Sequence, residues 1–133
     1  MLEIAVSILK AMIDQARRQA PIEACGILAG RCDRADRLYE MTNADAAIDH
    51  FTMVPQEQFQ VAKAMRGEGL EMLAVYHSHP ASPARPSQED VRLALTPGVI
   101  HVILSLAETE PMVKGFRIEG GVVTEVAVGI VGR

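Results

Sequence analysis

His77 and His79, separated by one residue, and Asp90, 11 positions after His79, are side chains that could together bind a metal ion. On an extended strand, side chains at i and i+2 point to the same face, so both imidazoles can converge on one point at the strand's end. The segment between them and Asp90 contains Pro80, Pro83 and Pro86. A loop so rich in proline cannot continue the strand and turns the chain back. Asp90, in the first turn of a following helix, can then bring a carboxylate to the same point. Two nitrogen ligands and one oxygen ligand, with water as the fourth, describe a catalytic zinc site rather than a structural one. A plainer reading exists for each part. Histidines at strand ends are often hydrogen-bonded or surface residues. Ser87-x-x-Asp90 also has the form of a capping box, in which the serine oxygen accepts from a backbone N–H and the acid sits at the positive end of the helix.

The elements that must position these residues follow from pattern. Residues 2–6 suit a short strand, and Ser7 an N-cap for a helix with Ile8, Leu9, Met12, Ile13 and Ala16 on one face, ended before Pro21. Residues 25–31 and 37–41 read as paired strands around a polar turn at 33–36, and 51–54 as another short strand. Pro55 opens a helix to about Arg66, stopped by Gly67 and Gly69, with Phe59, Ala62 and Met65 inward. Residues 73–79 form a buried strand, a short helix runs from Ser87 to about Leu95, and residues 99–106 return as a core strand. Residues 112–118 and 122–131 complete a hairpin about Gly120-Gly121. The expected fold class is mixed α/β: a central mixed, partly antiparallel sheet flanked by helices.

Composition bounds the function. The 133 residues, 49% hydrophobic and 23% charged, predict one domain spanning 1–133. A net charge of −4 with scattered basic residues argues against nucleic-acid binding. The longest apolar stretch, residues 98–107, is about half of the roughly 20 residues a membrane span needs, and Glu3 stands where a signal peptide would be positive. A cytoplasmic protein with no membrane partner is expected. Two cysteines, Cys25 and Cys32, do not make a disulfide framework and should be free thiols.

His77-Ser78-His79-Pro80, six residues, Ser87, two residues and Asp90 together resemble the motif of the JAMM, or MPN-plus, metalloproteases. The segment from Glu23 through Cys25 to Gly30 stands where that family has an upstream glutamate before a glycine-containing strand. Asn43, residues 51–55, residues 84–87, residues 99–106 and residues 115–118 extend the likeness to the compact bacterial branch over nearly the whole chain. Val75 departs from it, standing where many relatives have tryptophan.

The resemblance implies a cytidine-deaminase-like JAMM fold and a zinc-dependent peptidase or isopeptidase. It implies zinc on His77, His79 and Asp90, Glu23 as general base, and Ser87 as a donor to the oxyanion. It further implies cleavage after the C-terminal glycines of a ubiquitin-like or sulfur-carrier protein. A homodimer stays open. The rival reading is a non-catalytic MPN-type protein-binding module, although such modules lack ligands that this chain retains. A zinc nucleobase deaminase is excluded, because H-x-E and P-C-x-x-C elements are missing. His50 and His101 lack a partner at ligand spacing, and Cys25, in an apolar strand, reads as a small buried hydrophobe.

Overall fold

The computed structural model describes residues 1–94 and 98–132. The chain runs β1 (Leu2–Ala5), α1 (Val6–Gln19), β2 (Cys25–Arg31), β3 (Arg34–Met41), α2 (Pro55–Glu68), β4 (Glu71–His79), α3 (Gln88–Leu93), β5 (Ile100–Ser105), β6 (Met112–Glu119), β7 (Val122–Val126) and β8 (Val128–Val131). All eight strands form one sheet in the order β7-β6-β5-β4-β2-β3-β1-β8. Pairing is parallel for β4–β5, β1–β3 and β1–β8, and antiparallel elsewhere, the expected mixed sheet.

Alternation divides the side chains between the two faces. Leu28 of β2, Ala74 and Tyr76 of β4, and Val102 and Leu104 of β5 form a fully buried cluster with Met12 and Ala16 of α1. Within it, the Tyr76 hydroxyl donates to Gln15 Oε1 at 2.7 Å, and Gln15 Nε2 donates to the Cys25 carbonyl at 2.9 Å. Leaving such a buried hydroxyl unpaired would cost about 1–3 kcal/mol. On the opposite face, Cys25, Ile27 and Ala29 pack with Met65 of α2, and Ile103 packs with Phe116, Ile118 and Ala84 beneath α3. His77 and His79, odd-numbered on β4, belong to this second face.

Several expectations are corrected. The cap of α1 is Ala5, with no side-chain hydrogen bond, and Ser7 lies within the helix. The β2–β3 turn is tighter than expected: Cys32 and Asp33 have φ of 53° and 63°, as a two-residue hairpin loop requires, so β3 begins at Arg34. Gly120 and Gly121, at φ 57° and 81°, serve the β6–β7 hairpin in the same way. Residues 51–54 form no strand, and only an isolated bridge joins Met53 to Asn43. Gly67 lies inside α2, and Gly69 ends it in the left-handed conformation at φ 68°. Phe59 is 73% exposed and Ala62 is exposed, so of the three residues expected inward only Met65 is buried, with Val61 packed beside it.

α3 ends at Leu93, and the expected end at Leu95 lies outside the described residues. The apolar run 122–131 is two strands. Ala127 separates β7, which pairs with β6, from β8, which pairs with β1 at the other margin of the sheet. No helix among the described residues is long and apolar enough to cross a membrane.

Candidate metal centre

His77 and His79 end β4, and α3 delivers Asp90 to them. His79 Nε2 lies 3.0 Å from Asp90 Oδ2, His77 Nε2 lies 3.2 Å from the same oxygen, and the two Nε2 atoms are 3.1 Å apart. All three residues are buried. Bonds of about 2.0–2.1 Å in a tetrahedral zinc site set neighbouring ligand atoms about 3.3 Å apart, so the triangle has the right size.

The chemistry of the donors agrees. His79 Nδ1 donates to the Pro83 carbonyl at 2.8 Å, which in the neutral ring leaves Nε2 with its lone pair. Burial pushes the His77 pKa down and favours its neutral form, against the hydrogen bond with Asp90. Burial acts to raise the Asp90 pKa, but hydrogen bonds with His77 and His79 outweigh it and hold the carboxyl well below the usual range. Three electron-pair donors this close repel one another unless a proton or a cation stands among them. The residues therefore fit a divalent cation with nitrogen and oxygen ligands.

The capping box is fully formed as well. Ser87 Oγ accepts from the Asp90 N–H at 3.0 Å, and Asp90 Oδ2 accepts from the Ser87 N–H at 3.0 Å. Cap and ligand are thus one arrangement: the box sets the carboxylate oxygen that faces the histidines.

Glu23 stands outside the triangle and lines the adjoining cleft with Ile48, Asp49, His79, Pro80, Ala81, Ser82 and Ser87. Its backbone is pinned from two sides. Ser78 Oγ accepts from the Ala24 N–H at 2.8 Å, Asn43 Nδ2 donates to the Glu23 carbonyl at 3.0 Å, and the Glu23 N–H donates to the Ala47 carbonyl at 2.9 Å. The residue is 3% exposed, and its Oε1 is buried without a hydrogen-bond partner among the described residues. Burial raises its pKa to about 7, with a lowering contribution from His79 and a raising one from Asp90. A carboxyl titrating near neutrality, close to two histidines that could hold a metal, suits proton transfer at neutral pH.

Three residues that the resemblance includes without a role support the site. Phe51 stacks on His77 with ring centroids 4.8 Å apart. Asn43 ties the loop 43–52 together, donating also to the His50 carbonyl and accepting from Thr52 N–H. Ser78, between the two histidines, faces the other way and holds the Glu23 segment, as strand alternation alone could have indicated. His50 is clamped between Asp45 Oδ2 at 3.0 Å and Asp49 Oδ1 at 2.9 Å. Cys25 and Cys32 are both free, and burial pushes the Cys25 thiol up to about 12.

Comparison with known proteins agrees with this geometry. A family model described as prokaryotic homologs of the JAB domain matches residues 5–119. The CysO-cysteine peptidase of Mycobacterium tuberculosis is 38% identical over 133 residues, covering 98% of this chain and 91% of its own. The probable TtuB-protein conjugate cleaving protease of Thermus thermophilus is 37% identical over 78 residues, which is 58% of this chain and 52% of that one. Among solved structures, protein DSY2949 from Desulfitobacterium hafniense is 40% identical and superposes with a TM-score of 0.93, covering 100% of this chain and 94% of its own. A His-His-Asp triangle of zinc dimensions on a mixed sheet, within a chain matched by the JAB model over residues 5–119, makes this protein a compact prokaryotic member of the JAB/MPN family and a hydrolase of the JAMM metalloprotease class.

Proposed function

We propose that the protein is a zinc-dependent peptidase or isopeptidase that hydrolyses the bond after the C-terminal glycines of a ubiquitin-like or sulfur-carrier protein. The observation that carries this reading is the juxtaposition, in one cleft, of His79, one corner of the His77-His79-Asp90 triangle, with Ser87 and a buried Glu23 whose pKa is raised to about 7. The names of the relatives, a CysO-cysteine peptidase and a conjugate-cleaving protease, support the substrate class.

His77, His79 and Asp90 would hold the zinc. When bound, zinc supplies a Lewis acid that polarises a carbonyl and brings the pKa of water from 15.7 toward about 7. Glu23 accepts the proton of the attacking water and passes it to the departing amine, a transfer worth about 10²–10⁴ in rate. Asp90 cannot share that task, because its carboxylate is committed to the triangle. Ser87 Oγ receives the Asp90 N–H through a lone pair and keeps its own proton to donate toward the oxygen that gains charge. Attack is by water rather than by a thiol. Cys25 is fully buried, its pKa is pushed up to about 12, and it offers no thiolate at neutral pH.

The cleft is lined by Ile48 and Asp49 of the loop 43–52 and by Pro80, Ala81 and Ser82 of the proline-rich loop. Such a slot favours an extended tail of glycines, whose lack of side chains lets the backbone approach the reacting groups. Two free thiols suit the reducing cytoplasm as the place of action.

The test uses a ubiquitin-like sulfur carrier whose Gly-Gly end is extended by one cysteine. Incubated with the zinc-loaded protein, it should yield by mass spectrometry the carrier ending at Gly-Gly, and EDTA should stop the reaction. An intact carrier alongside protein holding one zinc per chain would instead support the non-catalytic binding module.

A further inference from the structure

The two histidines of the triangle are held differently. His79 gives its second nitrogen to the Pro83 carbonyl, whereas His77 Nδ1 is buried without a hydrogen-bond partner among the described residues. To present a lone pair at Nε2, a neutral His77 must carry its proton on Nδ1, and a buried N–H needs an acceptor. Phe51 stacks on the ring and fixes its plane, but a phenyl face replaces no acceptor.

Beside His77 lies a second pocket, of about 100 Å³, lined by His50, Phe51, His77, Asp90, Leu93, Ala94 and His101. Its polar side chains can be taken in turn. Both ring nitrogens of His50 are engaged by Asp45 and Asp49. Asp90 Oδ2 is engaged by the triangle and by the cap. Among the described residues lining the pocket, His101 carries the one other buried side-chain atom without a hydrogen-bond partner, its Nε2. The register of β4 and β5 explains why the two meet. His101 pairs with Val75 and Ile103 pairs with His77, so the two imidazoles stand diagonally on neighbouring strands and on the same face of the sheet. Burial lowers the His101 pKa, which favours the neutral ring that can accept a hydrogen bond.

We propose that His101 is the positioning residue of the ligand His77, acting through one buried water that accepts from His77 Nδ1–H and donates to His101 Nε2. The pocket has ample room, since a water needs only about 10–15 Å³ of such space and two or more polar partners. This rests on the zinc reading of the triangle. The consequence is that His101, which lies outside the triangle, sets the tautomer and aim of a metal ligand whose ring is otherwise held by Phe51 stacking and by the contacts of its Nε2 within the triangle.

The test is zinc affinity by competition with a chromophoric chelator, together with the visible spectrum of the cobalt-substituted protein, for wild type, His101→Phe and His101→Gln. Removing the partner of a ligating histidine typically costs about 10–100-fold in metal affinity, and that loss is expected for His101→Phe with a perturbed cobalt spectrum. His101→Gln, which keeps an acceptor, should recover most of the affinity. The thermal melt of each metal-free variant reports whether folding is intact. Equal affinity of wild type and His101→Phe overturns the proposal and leaves the metal centre standing. Equal weakening in both variants also overturns it, because packing rather than hydrogen bonding would then matter. Failure of the wild-type protein to bind zinc overturns the metal centre, and this proposal with it.

Discussion

Asp90 and Ser87 exchange two hydrogen bonds of 3.0 Å each, and the Asp90 oxygen that accepts from the Ser87 N–H is the one lying 3.0 Å from His79 Nε2. The helix cap and the ligand position are therefore coupled through a single atom. A helix of six residues cannot hold a carboxylate in place by its own stability, so the cap and the triangle support each other.

Ser87→Ala follows from that coupling. Loss of the cap should cost about 1 kcal/mol of stability. Loss of the hydroxyl as a donor to the oxyanion should lower kcat by about 10²–10³. Ser87→Thr, which keeps the hydroxyl, should retain most of both. Steady-state rates and thermal melts measure the two effects separately. An unchanged kcat in Ser87→Ala would reduce Ser87 to its capping role.

Glu23 predicts a pH dependence of stability in the metal-free protein. Its folded pKa, raised to about 7 from an ordinary 4.5, means that the folded state holds this proton over a range where the unfolded state has released it. Stability from this group is present below about 4.5 and is lost as pH rises toward about 7. Glu23→Gln removes the term, so urea unfolding at pH 5 and pH 8 with EDTA present should show the variant gaining on wild type at the higher pH. Parallel profiles would contradict the raised pKa.

The two cysteines should differ sharply in reactivity. Cys32, exposed in the β2–β3 turn, should react with a thiol reagent at pH 8. Cys25 is fully buried with its pKa near 12 and should not. One equivalent of label in the native protein and two after unfolding are expected. Rapid modification of both in the native state would contradict the burial and raised pKa of Cys25.

The site was legible because its geometry is local. His77 and His79 share a face by the two-residue period of a strand, and Asp90 is set by a cap whose residues lie three apart. What failed to show in the sequence depends on distant partners. The run 122–131 reads as one strand, yet it changes neighbours at Ala127 because β1 waits at the opposite margin of the sheet. Phe59 is apolar and helical in spacing, but Val61 and Met65 turn the buried face of α2 elsewhere. Phe51, in a segment that reads as a short strand, instead stacks on His77, a contact that the returning loop creates. Support for Glu23 from Asn43 and Ser78 is equally non-local, at 20 and 54 residues' separation.

The central claim is that Glu23 moves the proton at a zinc centre it does not itself ligate. Its most direct test is the initial rate of cleavage of a cysteine-extended sulfur carrier by wild type and Glu23→Gln, with zinc content determined on the same samples. Equal zinc, close to one per chain, with the variant's rate reduced by at least about 10²-fold, is the predicted result. Equal zinc with undiminished cleavage would contradict it.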